Sequence, residues 1–176
     1  MPGAFGHLIG AWIVGKALTK FGVKIGRFSW AALLLGALAP DTDLLLDWTV
    51  DYLYIHRTFT HSFAGVFFAG LIALFVLGSV RKFMHLRHVE LASALFSLGI
   101  LTHILLDLNV GSSGLQVFWP NNEWITLNEP LNHIDGVPTY EELKYWVKMM
   151  VTDAALGVTW LAYLFWTKRL RFEDGQ

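Results

Sequence analysis

From Ser62 to Val80 the chain runs SFAGVFFAGLIALFVLGSV, with no charged side chain. A helix that crosses hydrocarbon needs ~20 mostly apolar residues, because its backbone N–H and C=O groups must be satisfied inside the segment. This run meets the requirement, as do most of Val89–Leu108 and most of Trp146–Trp166. Composition points the same way. Hydrophobic residues make up 55% and charged residues 15%, with a mean hydropathy of +0.48, whereas soluble domains average roughly 45–50% and about 25%. The expectation is an all-α, integral membrane helical bundle, a single domain over residues 1–176.

Two further segments are apolar but interrupted. Phe5–Leu18 is shorter and carries His7 and Lys16, whereas Phe28–Leu46 is apolar as far as Ala39 and then meets Pro40, Asp41 and Asp43. The reading is therefore five helical segments, with four spans as the alternative. Basic residues collect at 20–27, at 81–88 and after Trp166. If the helices alternate, all three clusters share one side, which the positive-inside rule makes cytoplasmic. Trp48, Tyr52, Tyr54, Trp119, Trp124, Tyr140, Tyr145 and Trp146 then form an aromatic belt on the opposite side, with Trp30 and Trp166 at the inner interface. The long 109–145 connection is expected to be a packed lid on the outer face. Thr139 with Glu142 reads as a capping box that starts the last helix.

Several function classes fall away. The chain has no cysteine, which excludes disulfides, thiolate zinc sites and a cysteine nucleophile. A net charge of −1 gives no basic field for nucleic acid. The first residues lack a basic n-region, so the N-terminal segment is expected to stay in the mature protein.

What remains is an unusual placement of polar residues. His7 opens the first segment, Asp41 and Asp43 close the second, His61 opens the third, and His103 and Asp107 close the fourth. Antiparallel helices carry all of them to one membrane face, opposite the basic clusters. Imidazole and carboxylate together are the ligand set of zinc-like or manganese-like ions. Groups this polar are costly beside hydrocarbon unless they do something there.

The spacings carry different weights. His103 and Asp107, at i and i+4, leave the same helix face and suit one ion, although the same pair would serve a packed histidine and a capping acid. Asp41 and Asp43 do not share a helical face, but Pro40 leaves the Gly36 carbonyl without its donor and opens the helix there. One carboxylate could then bridge two ions while the other binds one ion or supports a histidine. The alternative is a solvated helix end. In His56-Arg57-Thr58-Phe59-Thr60-His61-Ser62, Thr60 is a candidate helix cap, His56 and His61 are candidate ligands, and Arg57 suits an anionic group. Asp153, an acid inside the last segment, is either a supporting partner of a ligand histidine or a bond to a neighbouring helix. His85 and His88 read as solvated loop, and His133 and Asp135 belong to the lid.

In order and spacing these motifs resemble the YdjM-type family of membrane-bound, metal-dependent hydrolases, described as regulated by LexA. The residues that carry the resemblance are His7, Pro40-Asp41-Thr42-Asp43, His56 to Ser62, His103 to Asp107 and Gly111 to Pro120, over roughly the first two-thirds of the chain. That family resembles, more distantly, the zinc-dependent phospholipase C and single-strand nuclease group. The resemblance implies a hydrolase of phosphate esters, with a divalent metal (zinc first, manganese or magnesium as alternatives) in two or more copies. Its ligands would be His7, Asp41, Asp43, His56, His61, His103 and Asp107. Arg57 and Asp43 would take the catalytic roles, with Thr60 in support; Asp153 lies beyond the matched motifs and is a supporting candidate by its place in the last segment alone.

The expected partners are the lipid bilayer and an anionic, phospholipid-like substrate hydrolysed by metal-activated water. Nothing in the sequence assigns an oligomeric state. Transport is the first rival, and it wants polar residues through the whole membrane depth, whereas these gather at one end. A membrane protein that binds metal without catalysis is the second.

Overall fold

The structure, a computed structural model, describes residues 3–44, 56–83, 85–86, 88–110, 114–127 and 140–167. Among these residues the order is α1 (Ala4–Lys20), α2 (Arg27–Leu38), a 3-10 turn at Pro40–Asp43, a second at Phe59–His61, α3 (Phe63–Val80), α4 (Val89–Val110) and α5 (Tyr140–Trp166). No sheet occurs among the described residues, only an isolated bridge between Leu115 and Ile125. The all-α expectation holds.

α3, most of α4 (Val89–Asn109) and most of α5 (Leu143–Trp166) are long and apolar enough to cross a membrane. Their outward faces carry Phe67, Ile72 and Phe75 on α3 and Val151, Val158 and Phe165 on α5, all exposed. Helices that leave apolar side chains facing outward are built for lipid. The chain is a multi-pass membrane protein. α2 has 12 residues and rises about 18 Å, so it is apolar but short. α1, with 17 residues, rises about 26 Å.

The core forms where α1 and α2 pack on α4. Ala11, Trp30, Leu33, Ala37 and Leu95 make one buried cluster. Ile100, Ile104, Leu115 and Val117 make a second, nearer the ligand-bearing ends. α2 and α4 touch backbone to backbone. A Cβ on Gly36 would lie 2.1 Å from the Phe96 carbonyl oxygen, and one on Gly99 would lie 2.2 Å from that of Leu33. Only glycine permits this crossing, which sets the site: Ala37 follows Gly36 on α2, Asp41 stands in the turn just beyond it, and His103 follows Gly99 by one turn on α4.

The segment 114–127 folds back over this end. Gln116 N–H donates to the Arg57 carbonyl at 3.0 Å, Phe63 N–H to that of Val117 at 2.9 Å, and Leu127 N–H to that of Leu108 at 3.1 Å. Leu115, Gln116 and Val117 are buried by it.

One placement differs from expectation. Trp30 is 4% exposed and packs in the core instead of facing the interface, with Lys16 Nζ 5.6 Å from its ring centre. His85 and His88 are exposed, as read. Several expectations fall outside the described residues: Trp48, Tyr52 and Tyr54 of the belt, Gly111 of the resemblance, His133 and Asp135 of the lid, Thr139 of the capping box, and Arg87, Lys168, Arg169 and Arg171 of the basic clusters.

Candidate metal centre

Pro40 has no N–H to continue α2, so the chain tightens into the 3-10 turn Pro40–Asp43 and the last carbonyls of α2 are left open. One is taken across the interface, where His103 Nδ1–H donates to the Ala37 oxygen at 2.8 Å. A carbonyl only accepts, so this bond puts the proton on Nδ1 and offers Nε2 to the interior. His103 Nε2 meets His61 Nε2 at 3.2 Å. Asp41 Oδ1 lies 3.4 Å from His103 Nε2 and 3.6 Å from His61 Nε2. Asp107 Oδ2 lies 3.6 Å and 3.8 Å from the same two nitrogens. These four atoms fall within 4.8 Å of one another, close enough to share one ion.

A second group of three uses the other side of His61. Asp43, His56 and His61 also offer atoms within 4.8 Å of one another. His56 Nδ1–H donates to Asp43 Oδ1 at 2.6 Å, and the Thr60 hydroxyl donates a very short bond to Asp43 Oδ2. Because its hydrogen is spent on Asp43, the Thr60 oxygen accepts from His61 Nδ1–H at 3.0 Å. Asp43 thus aligns His61 through Thr60, an arrangement by which carboxylates orient metal-binding imidazoles.

Satisfaction of hydrogen bonds separates the two groups. Asp41 Oδ1, both oxygens of Asp107 and both nitrogens of His7 are buried with no hydrogen-bond partner among the described residues. Orphaned buried polar atoms are rare and costly. Here they face the first group. His7 is stacked on His103 with ring centres 3.7 Å apart, and its Nε2 lies 3.3 Å from Asp107 Oδ1. Asp41, Asp43 and Asp107 against the single guanidinium of Arg57 leave two negative charges in excess. A divalent cation fits both the donor set and the charge.

Protonation states agree. Burial works to raise the Asp41 carboxylate, but its contacts with His103 and His61 prevail and hold it well below the usual carboxylate range. Burial also opposes Asp43, and His56 and Thr60 outweigh it, so that acid too lies below its usual range. Burial pushes His61 below the ordinary histidine value, with Asp41 pulling the other way. Burial lowers Arg57 as well, offset by Asp107, Asp41 and Asp43.

Arg57 is 6% exposed and adopts φ 68°, a left-handed conformation that costs a non-glycine residue on the order of 1–3 kcal/mol. The Gln116 amide bound to its carbonyl helps hold it there. The way in from solvent lies beside Asp41 and His56, whose side chains are 28% and 16% exposed.

One expectation about the site is corrected. Thr60 does not cap α3; Ser62 does, its hydroxyl accepting from Gly65 N–H at 3.0 Å, so His61 sits in the preceding turn and not in the helix. Asp153 takes the second of its two expected roles, a bond to a neighbouring helix, and no hydrogen bond joins it to a ligand histidine among the described residues. Its carboxylate accepts from the Phe5 and Gly6 amides at 3.1 and 2.8 Å, capping α1 just before His7. No spacing motif links residues so far apart in sequence, and the intramembrane acid was the only signal.

The geometry thus brings together His7, Asp41, Asp43, His56, Arg57, Thr60, His61, His103 and Asp107, with Asp153 one turn away. No curated protein matches the chain, and neither does any solved structure. A family model described as YdjM inner membrane protein matches residues 1–171, extending the resemblance beyond its motifs through α5. With that match across nearly its whole length, the chain belongs to the YdjM family of inner membrane proteins.

Proposed function

We propose that this protein is a metal-dependent hydrolase of phosphate esters whose centre opens on the non-cytoplasmic face of the membrane. The observation that carries the reading is the set of orphaned, buried oxygens and nitrogens on Asp41, Asp107 and His7, gathered against His61 and His103 at one end of an apolar bundle. Structural histidines and acids would be expected to pair in hydrogen bonds; these stand 3.3 to 3.8 Å apart, with the donor atoms of Asp41, His61, His103 and Asp107 around one point.

Asp41, His61, His103 and Asp107 would hold the first ion, with His7 completing its surroundings. Asp43 and His56 would hold a second, which His61 would join through Nδ1 on giving up the proton it donates to Thr60. A divalent ion at such a site supplies Lewis acidity and brings water toward deprotonation near pH ~7, zinc being the first choice for this donor set and manganese or magnesium alternatives. Arg57 neutralises the anionic group of the substrate and orients it. Asp43, whose carboxylate is tied to His56 and Thr60, would be the proton acceptor of the centre, with the part-exposed His56 ring between it and solvent. The segment 114–127 acts as a lid that keeps Arg57 in place. The positive-inside rule puts the loops at 20–27 and 81–88 and the C-terminus in the cytoplasm.

The test is turnover of p-nitrophenyl phosphate and its esters by purified protein in detergent, with zinc, manganese or magnesium. Activity that tracks bound metal and disappears in His103→Ala and Asp41→Asn supports the reading. Equal turnover by those variants overturns it.

A further inference from the structure

Beside the metal centre an apolar cleft of about 130 Å³ lies between the end of α2, α3 and α4. Pro40 and Thr60, the immediate sequence neighbours of Asp41 and His61, line one part of it. From there it descends along Phe68, Ala69 and Ile72 of α3 toward Phe96 of α4. Phe68 and Ile72 are 49% and 63% exposed, so the cleft is open sideways to the membrane. It is small: at roughly 30 Å³ of packed space for a group the size of water or methylene, about 130 Å³ takes about four such groups, the first part of one chain.

We propose that this cleft seats the hydrocarbon tail of the substrate, making the substrate a single-tailed phosphate amphiphile with its phosphate at the ligand cluster. This rests on the hydrolase reading and adds what the substrate is. The argument for this occupant is continuity. In a bilayer, hydrocarbon fills a cleft open between spanning helices, and the polar end of that hydrocarbon meets Thr60 and Pro40 at the metal ligands. Hydrocarbon gains little free energy by leaving lipid for another apolar surface. What the cleft supplies is position: a tail held beside Ala69 fixes where the phosphate lies, and small misplacements in such sites are expensive. The larger groove between α3 and α4, about 500 Å³ and lined by Phe63, Leu74 and Glu90, leads away from the ligands and has no such head.

The test compares methyl and dodecyl p-nitrophenyl phosphate at fixed micelle concentration. In both, water adds across the aryl P–O bond to give p-nitrophenol and the alkyl phosphate. Ala69→Phe fills the cleft, whereas Val76→Phe places the same bulk elsewhere on α3. The expected result is a fall in the dodecyl-to-methyl ratio of kcat/KM for Ala69→Phe on the order of tenfold to a hundredfold, with methyl-ester turnover and bound metal retained and Val76→Phe unchanged. Should Ala69→Phe lose its metal, Ile72→Trp at the rim replaces it. An unchanged ratio with metal retained overturns the proposal but leaves the hydrolase reading standing. Absence of turnover on either ester counts against the hydrolase reading alone, because a dodecyl phosphate carrying a diazirine in its tail tests the cleft without catalysis. Labelling concentrated on Phe68, Ala69, Ile72 and Phe96 supports it; labelling spread equally over Phe67, Leu71 and Phe165 marks ordinary boundary lipid and overturns it.

Discussion

His7 lies flat against His103, the ring centres 3.7 Å apart and the planes 13° from parallel. One ring comes from the first turn of α1 and the other from the far end of α4. His103 is anchored by the Ala37 carbonyl, whereas His7 has both nitrogens without hydrogen bonds among the described residues. A stacked ring with uncommitted nitrogens, 3.3 Å from Asp107, is placed for a ligand or for a proton held on that carboxylate. His7→Phe keeps the stacking surface and removes the nitrogens. The expected outcome is a folded protein whose metal affinity falls on the order of 10–100-fold, read by competition with a chromogenic chelator; unchanged affinity would assign His7 to packing alone.

The α2–α4 crossing predicts a coupling between packing and metal. Gly99→Leu drives a side chain into the Leu33 carbonyl and separates the two helices. Overpacking of this kind costs about 1–3 kcal/mol, and it also lengthens the His103–Ala37 bond. Thermal unfolding in detergent and elemental analysis should both register the change. Leu156→Ala, a lipid-exposed position on α5, serves as the control and should leave metal content intact.

Asp153 predicts a longer-range effect. Its carboxylate accepts two amides at the start of α1, a cap that typically contributes about 1 kcal/mol. Asp153→Ala should loosen α1 and lower metal affinity without changing metal stoichiometry at saturation. Asp153→Asn keeps an acceptor oxygen and should recover much of the loss. Identical affinities for wild type and Asp153→Ala would limit this acid to holding α5 in place.

Metal uptake should release protons, and the structure says which groups supply them. Asp41 and Asp43 are held below the usual carboxylate range, so both are already ionised at neutral pH. The protons must come from imidazoles, which bind metal only when the ligating nitrogen is free. Affinity should therefore fall on acidification, and the His61 ring, which burial holds below the ordinary histidine value, takes up its proton only below that value. Calorimetry in buffers of different ionisation enthalpy counts the protons. Asp41→Asn should weaken binding while leaving that number unchanged; a drop by one proton would contradict the assignment.

The legible part of the fold was local. The uncharged run of α3, the break of α2 at Pro40 and the shared face of His103 and Asp107 follow from spacing and backbone chemistry alone, and alternation of helices was enough to expect convergence. The pattern Pro40–Asp41–Thr42–Asp43 told that an opened backbone could turn both acids inward, but not that each would enter a group of its own. The rest depends on contacts between distant residues that no periodicity encodes. Gly36 against Phe96 and Gly99 against Leu33 are single glycines with no repeating motif. Asp153 finds the start of α1 across nearly the whole chain, and the amides of Gln116 and Phe63 tie two irregular segments together. The choice of Ser62 over Thr60 as cap turned on where the 3-10 turn ends, a matter of two residues at a boundary.

A five-membered ring with two nitrogens has one consequence for how this centre can be dismantled. Because the His61 ring belongs to both ligand groups, with Nε2 toward Asp41 and Asp107 and Nδ1 toward Thr60 and Asp43, a substitution there disturbs both at once. Asp41 on one flank and His56 on the other each belong to one group alone, so either half of the cluster can be altered separately from its edge.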